Sequence, residues 1–271
     1  MGIDAFYTCD EDINFEADIC HLFHISYETA YKAFLNVKKK NLKLLVSTIY
    51  SGDRIPHKSQ QEIVDYASKA IFMSEGELGY VRENIKVPQN KVVIVKNGVS
   101  KIFDTELIDG KYVLCVGRVQ PMKNQLNLAI ACKKLGLDLK YVGEIIDTEY
   151  ASKVLSIWGK WFPNRPQEGL VELYRQAQVV ACPSEHEIQP NCVIEGGLSG
   201  ANILLSDKSK SFLQGFPNIW LCKTDPKSIE KELISAWNSP KNEKLKNIFR
   251  EWTWKDVAEK MGKIYEDVLK D

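Results

Sequence analysis

The chain has 271 residues, enough for one large or two modest domains. Lysine plus arginine and aspartate plus glutamate both total 36, so the formal net charge is zero and the basic excess of a nucleic-acid binder is missing. Seven cysteines, an odd number without paired spacing, point to reduced thiols in a cytoplasmic protein, and neither a transmembrane run nor a signal peptide is expected.

The stretch from Met1 to Ala17 is acidic and poorly periodic, with a strand at Ile3 to Tyr7 and a loop at Cys9 to Glu16. Asp10-Glu11-Asp12 has the D-x-D spacing that holds a cation on a nucleotide diphosphate. No clear strand leads into it, and a solvated acidic turn is the favoured reading. Asp18 to His24, DICHLFH, reads as a buried strand, and Ser26 as the N-cap of a helix with apolar Tyr27, Ala30, Tyr31, Phe34, Leu35 and Val37. Lys38 to Lys40 suit the negative end of that helix. A strand at Leu42 to Ile49, a helix at Gln60 to Lys69 and a strand at Ala70 to Ser74 complete a βαβαβ order. That order argues for a parallel sheet with right-handed crossovers.

A helix from Ser74 to Asn84 and a strand from Lys91 to Val95 follow, and Asn97-Gly98 turns the chain. Tyr112 to Gly117 is a strand running into Arg118-Val-Gln-Pro-Met-Lys123-Asn124, then a helix from Gln125 to Leu135. A strand at Asp138 to Val142 ends at Gly143, and a helix spans Glu149 to Trp158. The aromatics Trp161 and Phe162 can stack on a base or pack in a core, with packing favoured. Beyond residue 207 the pattern gives a strand at Ile219 to Cys222 and a helix at Lys227 to Asn238. Trp252, Trp254, Val257, Met261, Ile264, Tyr265 and Val268 then recur at helical spacing.

The densest signal is VVACPSEHEIQPNCVIEGGLSGANILLSD, from Val179 to Asp207. Val179 to Cys182 reads as a buried strand, Glu185 to Asn191 as a polar loop, Cys192 to Leu198 as a helix opened by Pro190, and Asn202 to Leu205 as the next strand. A loop at the carboxyl end of a parallel strand, entering a helix N-terminus, is where open α/β sheets bind ligands. Free N–H groups there favour a phosphate or a sugar hydroxyl. Glu187 and Glu195 bracket the segment with seven residues between them.

This pair resembles the E-x7-E motif of the family-4 retaining glycosyltransferases (glycosyltransferase group 1), which have the GT-B fold. Arg118 to Lys123 resembles the family's G-R-x-x-x-x-K loop, VIVKNGVS its interdomain hinge, the run through Leu173 and Tyr174 its base-side segment, and the Trp252 to Tyr265 stretch its terminal helix. Three departures stand out. Ile-Gln-Pro-Asn follows Glu187 without the usual glycines, and Gly196 and Asn202 replace a small residue and a proline. The strand ending STIY lacks the histidine that many members carry toward the acceptor.

The resemblance implies two Rossmann-like parallel-sheet domains in an α/β fold, the first abbreviated. Residues 1–105 form an acceptor-side domain, 106–251 a nucleotide-sugar-binding domain, and 252–271 a helix crossing back to the first. The implied reaction moves a sugar, of hexosyl type, from a nucleotide-diphosphate donor to a hydroxyl with retention, in cell-surface glycan or glycoconjugate synthesis. Arg118, Lys123 and Glu187 are the implied catalytic residues. Gly117, Arg118, Lys123, Glu187, Gln189, Pro190, Asn191, Cys192 and Glu195 bind the donor in a pocket between the domains. Glu187 would hold sugar hydroxyls and Glu195 the ribose diol. No metal and no cofactor is implied beyond the nucleotide-sugar substrate. A glycan, lipid-linked or protein acceptor is expected, as is a cytoplasmic location with peripheral membrane association left open. The exposed edge of a shortened sheet suggests a homodimer. The alternative is a catalytically degenerate nucleotide-sugar-binding protein that scaffolds a partner.

Overall fold

The computed structural model describes residues 4–8, 16–50, 55–209, 213 and 215–270. The D-x-D triplet at residues 10–12 lies outside them. Contacts divide the chain into two compact units, one up to Asn97 together with the residues from Lys255 onward, the other Gly98–Trp254.

The first unit alternates β1 (Ile19–Phe23), α1 (Glu28–Lys39), β2 (Lys43–Ser47), α2 (His57–Tyr66), β3 (Lys69–Phe72), α3 (Glu75–Arg82) and β4 (Val92–Ile94). All pairings are parallel, in the order β1-β2-β3-β4. Leu44, Leu45 and Val46 of β2 and Ala70, Ile71 and Phe72 of β3 are buried in succession, as expected of strands covered on both faces. Ser26 does not cap α1. The N-cap is Tyr27, without a side-chain bond, and the Ser26 hydroxyl is buried without a hydrogen-bond partner. Helix α2 starts at His57, three residues before the periodicity suggests, because Pro56 supplies a preset φ of −54° and has no N–H to leave unpaired.

The second unit contains β5 (Tyr112–Val116), α4 (Gln125–Leu135), β6 (Leu139–Val142), α5 (Thr148–Ile157), β7 (Lys160–Phe162), α6 (Glu168–Gln176), β8 (Ala177–Cys182), α7 (Asn191–Leu198), β9 (Asn202–Ser206), β10 (Ile219–Cys222), α8 (Pro226–Asn238) and α9 (Glu243–Arg250). Its sheet is parallel with the order β10-β9-β8-β5-β6-β7. The chain leaves β5 toward β6 and β7, then returns to the other side of β5 for β8, β9 and β10. The crevice between the carboxyl ends of β5 and β8 is therefore the topological switch point, where such sheets take their ligands. One apolar layer gathers Phe103, Tyr174, Leu198 and Phe249, and the opposite layer Leu128, Cys132, Val154 and Leu233. Together, the two parallel sheets make an α/β fold of two Rossmann-like units, with four strands in the first sheet and six in the second among the described residues.

The last helix, α10 (Trp254–Lys270), belongs with the four-stranded sheet. Val257, Met261, Ile264, Tyr265 and Val268 pack on Leu45, Ile71 and Val95. The Lys43 ammonium donates to the Val268 carbonyl at 2.9 Å, close to the negative end of the helix. Trp252 does not take part in this packing. It is buried in the second unit, edge-on to Phe249 and Phe216.

His21 joins β1, β2 and α10. Its Nδ1 lies 2.7 Å from the Tyr265 hydroxyl and its Nε2 2.8 Å from the Ser47 hydroxyl. Burial pushes the imidazole pKa from 6.5 down to about 4. Between those two values the unfolded chain binds a proton that the folded chain does not, so stability rises with pH across the window. Unfolding in urea is expected to become easier as pH falls from 6.5 toward 4, by at most about 1.4 kcal/mol per pH unit from this group. His21→Gln should remove that share of the pH slope. An unchanged slope in the variant would show that the imidazole is not its source.

Candidate functional site

The geometry begins with two glycines. Gly117 (φ 149°) directly follows β5 and Gly143 (φ 151°) directly follows β6, and a Cβ on Gly143 would stand 2.2 Å from the Gly117 carbonyl oxygen. Only glycine permits this approach and this backbone. The loops that follow are zipped together, with the Val119 N–H donating to Glu144 O at 2.8 Å and the Ile146 N–H to Val119 O at 3.2 Å. A 3-10 turn at Pro121–Lys123 then leads to Asn124, which adopts a left-handed conformation (φ 56°, ψ 30°) that asparagine tolerates better than most residues. The Asn124 amide donates to Pro183 O at 3.1 Å and to Thr224 O at 2.8 Å. One buried side chain thereby ties together the loops after β5, β8 and β10.

The loop after β8 meets the loop after β5 along its length. The Glu185 N–H donates to Met122 O at 2.9 Å. The Lys123 ammonium pairs with Oε1 of Glu187, two residues further on. Oε1 also accepts the Ser184 hydroxyl at 3.0 Å and faces the Cys182 thiol at 3.9 Å. Burial is the largest single influence and lowers the Lys123 pKa, but the attraction and hydrogen bond of Glu187 together with Cys182 and Cys192 outweigh it, and the net direction is upward. The cation and anion are thus locked together at the switch point.

Glu195 lies in a different setting. It projects from α7 and accepts the Tyr174 hydroxyl of α6 at 2.7 Å through Oε2. Burial raises its pKa and the Tyr174 bond opposes that rise. Pro190, the N-cap of α7, provides no side-chain cap, so the first turn keeps the donor character of an open helix start. Gln189 and Pro190 are buried, Asn191 is exposed and Cys192 half-buried.

Of the residues singled out in the sequence, Gly117, Lys123 and Glu187 line one small cavity of about 10 Å3, with Gln125, Cys182 and Ser184 beside them. That is room for about one water molecule. Arg118 stands exposed on the same loop, its carbonyl accepting from the Gln125 side chain at 2.9 Å. Gln189 to Cys192 lie on the neighbouring loop and helix start. Among the described residues no cluster of three or more His, Cys, Asp or Glu side chains is placed to hold a metal.

Sequence reasoning passed over Asn124, Ser184 and the Tyr174 hydroxyl as site residues. The short polar residues adjoining Lys123 and Cys182 were the available signal. At the carboxyl ends of the four-stranded sheet it noted the STIY strand end but passed over His24 and Glu77. There His24 (φ 73°) donates through Nδ1 to the carbonyl of Ile49 at 3.1 Å, and Ile49 itself has φ 36°, a strained value for a β-branched residue. The carbonyl can only accept, so Nδ1 carries a proton. Glu77, fully buried, braces this end by accepting from the Thr48 hydroxyl at 2.6 Å, the Tyr50 N–H at 3.0 Å and the Met73 N–H at 2.6 Å. An imidazole thus stands beside the strand that ends STIY, supplied by the neighbouring strand end.

No protein-family model matches the chain, and no curated protein matches it. Solved structures do. A glycosyltransferase from Rickettsia africae ESF-5 superposes with a TM-score of 0.74 at 18% identity, over 94% of this chain and 77% of that one. Sucrose-phosphate synthase from Thermosynechococcus elongatus gives 0.77 at 16% identity, over 93% and 74%. HepE from Anabaena, solved with UDP and glucose, gives 0.76 at 12% identity, over 92% and 77%. The chain has the GT-B fold of these glycosyltransferases.

Tyr174→Phe should leave Glu195 without its phenol donor and destabilise the protein by about 1–3 kcal/mol in urea at pH 8. Because the bond matters most to the ionised carboxylate, the loss should shrink as pH falls through the raised pKa of Glu195. A loss independent of pH would assign the effect to packing alone.

Proposed function

We propose that the protein is a retaining glycosyltransferase that moves a sugar from a nucleoside-diphosphate donor to a hydroxyl acceptor in glycan or glycoconjugate synthesis. The observation that carries this reading is the contact of Lys123 with Glu187 at the switch point of the six-stranded sheet, beside the exposed Arg118 and the uncapped start of α7. A planar guanidinium and a compact ammonium on one loop, with backbone N–H groups at the helix start that follows the neighbouring loop, suit a diphosphate. The fold shared with HepE, which was solved with UDP and glucose, supports the same ligand class.

In this reading the Lys123–Glu187 pair exchanges partners when the donor arrives. The diphosphate takes Lys123 and Arg118, and Glu187 turns to the sugar hydroxyls with the Ser184 hydroxyl still in reach. Glu195 accepts from the ribose diol. As the bond from the anomeric carbon to the diphosphate stretches, negative charge grows on the leaving oxygens. Arg118, Lys123 and the α7 N–H groups stabilise it without reorganising. The acceptor hydroxyl attacks from the face the diphosphate leaves, which retains configuration. A glycan, lipid-linked or protein acceptor and a hexosyl donor are consistent with this reading.

Calorimetry with UDP, GDP and ADP, chelator present, tests the donor assignment. Arg118→Ala and Lys123→Ala should each weaken the preferred nucleoside diphosphate by about tenfold or more, the worth of one charge-assisted bond. Glu187→Ala should cut turnover with little change in that affinity, whereas Glu195→Ala should weaken the nucleotide itself. Wild-type affinity in both cation variants would overturn the assignment.

A further inference from the structure

We propose that Lys241 is a modification site, an amine placed to take a small acyl group from an activated donor, an acyl phosphate or an acyl thioester. The site is separate from the donor crevice and lies at the opposite ends of the same strands. Leu107, Ile108, Asp109, Gln178, Pro240 and Lys241 line an open cavity of about 500 Å3 there, far larger than the cavity beside Lys123. Leu107, Ile108 and Pro240 give it apolar walls of the kind a short acyl chain needs.

The hydrogen bonding of Lys241 is unusual in what it leaves over. Its Nζ donates to Arg175 O at 2.8 Å and to Ala177 O at 3.1 Å, the carbonyls where α6 passes into β8. A neutral amine has two N–H groups, so both carbonyls stay satisfied when the ammonium loses its third proton. The tetrahedral nitrogen then carries its lone pair at the remaining position, and the side chain lines the cavity. Lys246, nearby on α9, is the contrast. It is buried against the Asp104 carboxylate at 3.0 Å, with Glu243 at 3.6 Å.

The charges around Lys241 agree with this geometry. Burial and the Arg175 guanidinium lower its pKa, Asp109 partly opposes them, Lys246 adds to the lowering, and the result is about 8. At pH 7 roughly a tenth of such an amine is neutral, against well under a thousandth of an ordinary lysine.

The step balances without an oxidant or reductant. The amine lone pair attacks the acyl carbonyl carbon and a C–N bond forms. The C–O bond of the acyl phosphate, or the C–S bond of the thioester, breaks. Phosphate or thiol departs, and the proton from nitrogen passes to the leaving group or solvent. The product amide keeps one N–H, so one of the two carbonyls at the end of α6 loses its donor.

Full-length protein would be treated separately with limiting acetyl phosphate and with S-acetylcysteamine from pH 6.5 to 10, and each lysine followed by peptide mass spectrometry. At pH 7 Lys241 should label at least about tenfold faster than Lys231 and Lys255, whose side chains are 81% and 83% exposed. Its rate should level off above about pH 8 while theirs keep climbing. Lys241→Arg, which keeps donors for both carbonyls, should melt like the wild type and lose the fast label. Comparison of the two reagents identifies the acyl source. Labelling no faster than at Lys231 and Lys255 with either reagent, or a pH profile parallel to theirs, would overturn the proposal.

Discussion

Three strand-end loops of the six-stranded sheet depend on Asn124. Its left-handed backbone turns the chain from the 3-10 segment into α4, and its amide holds the loops after β8 and β10. Asparagine sits where a helix cap would, yet it makes no capping bond, because its donors are committed to the carbonyls of Pro183 and Thr224. Alanine would lose both bonds and meet a steric cost at φ 56°. Lys123 precedes it directly and so begins from an ordered backbone. A lysine on an unfixed loop would have to surrender about 1–2 kcal/mol of backbone entropy per ordered residue before reaching a ligand.

Charge balance follows the same economy of position. The chain as a whole is neutral, and the crevice is neutral in miniature, with Lys123 set against Glu187. Either ion alone would face a desolvation cost at its 21% or 14% side-chain exposure. Together they persist, and they close the crevice to about 10 Å3. A ligand that carries both negative charge and hydroxyl donors can replace each half of the pair with an equivalent partner. Glu195 has a phenol rather than a cation beside it, and its pKa moves upward. Two carboxylates eight positions apart therefore have distinct chemistry, decided by which element each one faces.

Much of this was legible in the sequence, for identifiable reasons. Apolar runs such as YVLCV and VVAC lie in strands buried on both faces, and their alternation with helices of the right length dictates a parallel sheet. Helix α4 spans Gln125–Leu135 as its pattern predicts, stopped by Gly136 in a left-handed conformation. What stayed hidden was short or non-local. Strand β7 has three residues, too few for a period to show, and α9 is eight residues set between a proline and a buried tryptophan. Ser26 looked like a cap because serine often is one, but tertiary packing buried it and moved the helix start by a residue. Lys123, the cation paired with Glu187, and Tyr174, the phenol bonded to Glu195, are 64 and 21 residues away, and spacing alone could not name them.

The polarity of the second unit explains why its two sheet ends differ chemically. Right-handed crossovers run every covering helix antiparallel to its strands. Helix N-termini therefore gather at the carboxyl ends of the strands, where α4 and α7 begin beside Lys123 and Glu187. Helix carbonyls gather at the other end, and that end must be lined with donors. Gln178 caps the last turn of α8 at Trp237 and Ser239, Asn202 does so at Ala236 and Ser239, and Lys241 does so for the end of α6. A single topological choice thus sets helix starts at one end and a ring of amide and amine donors at the other. Lys241, recruited to that ring, has neutral carbonyls as its hydrogen-bond partners, and the Asp109 carboxylate offsets only part of the lowering of its pKa.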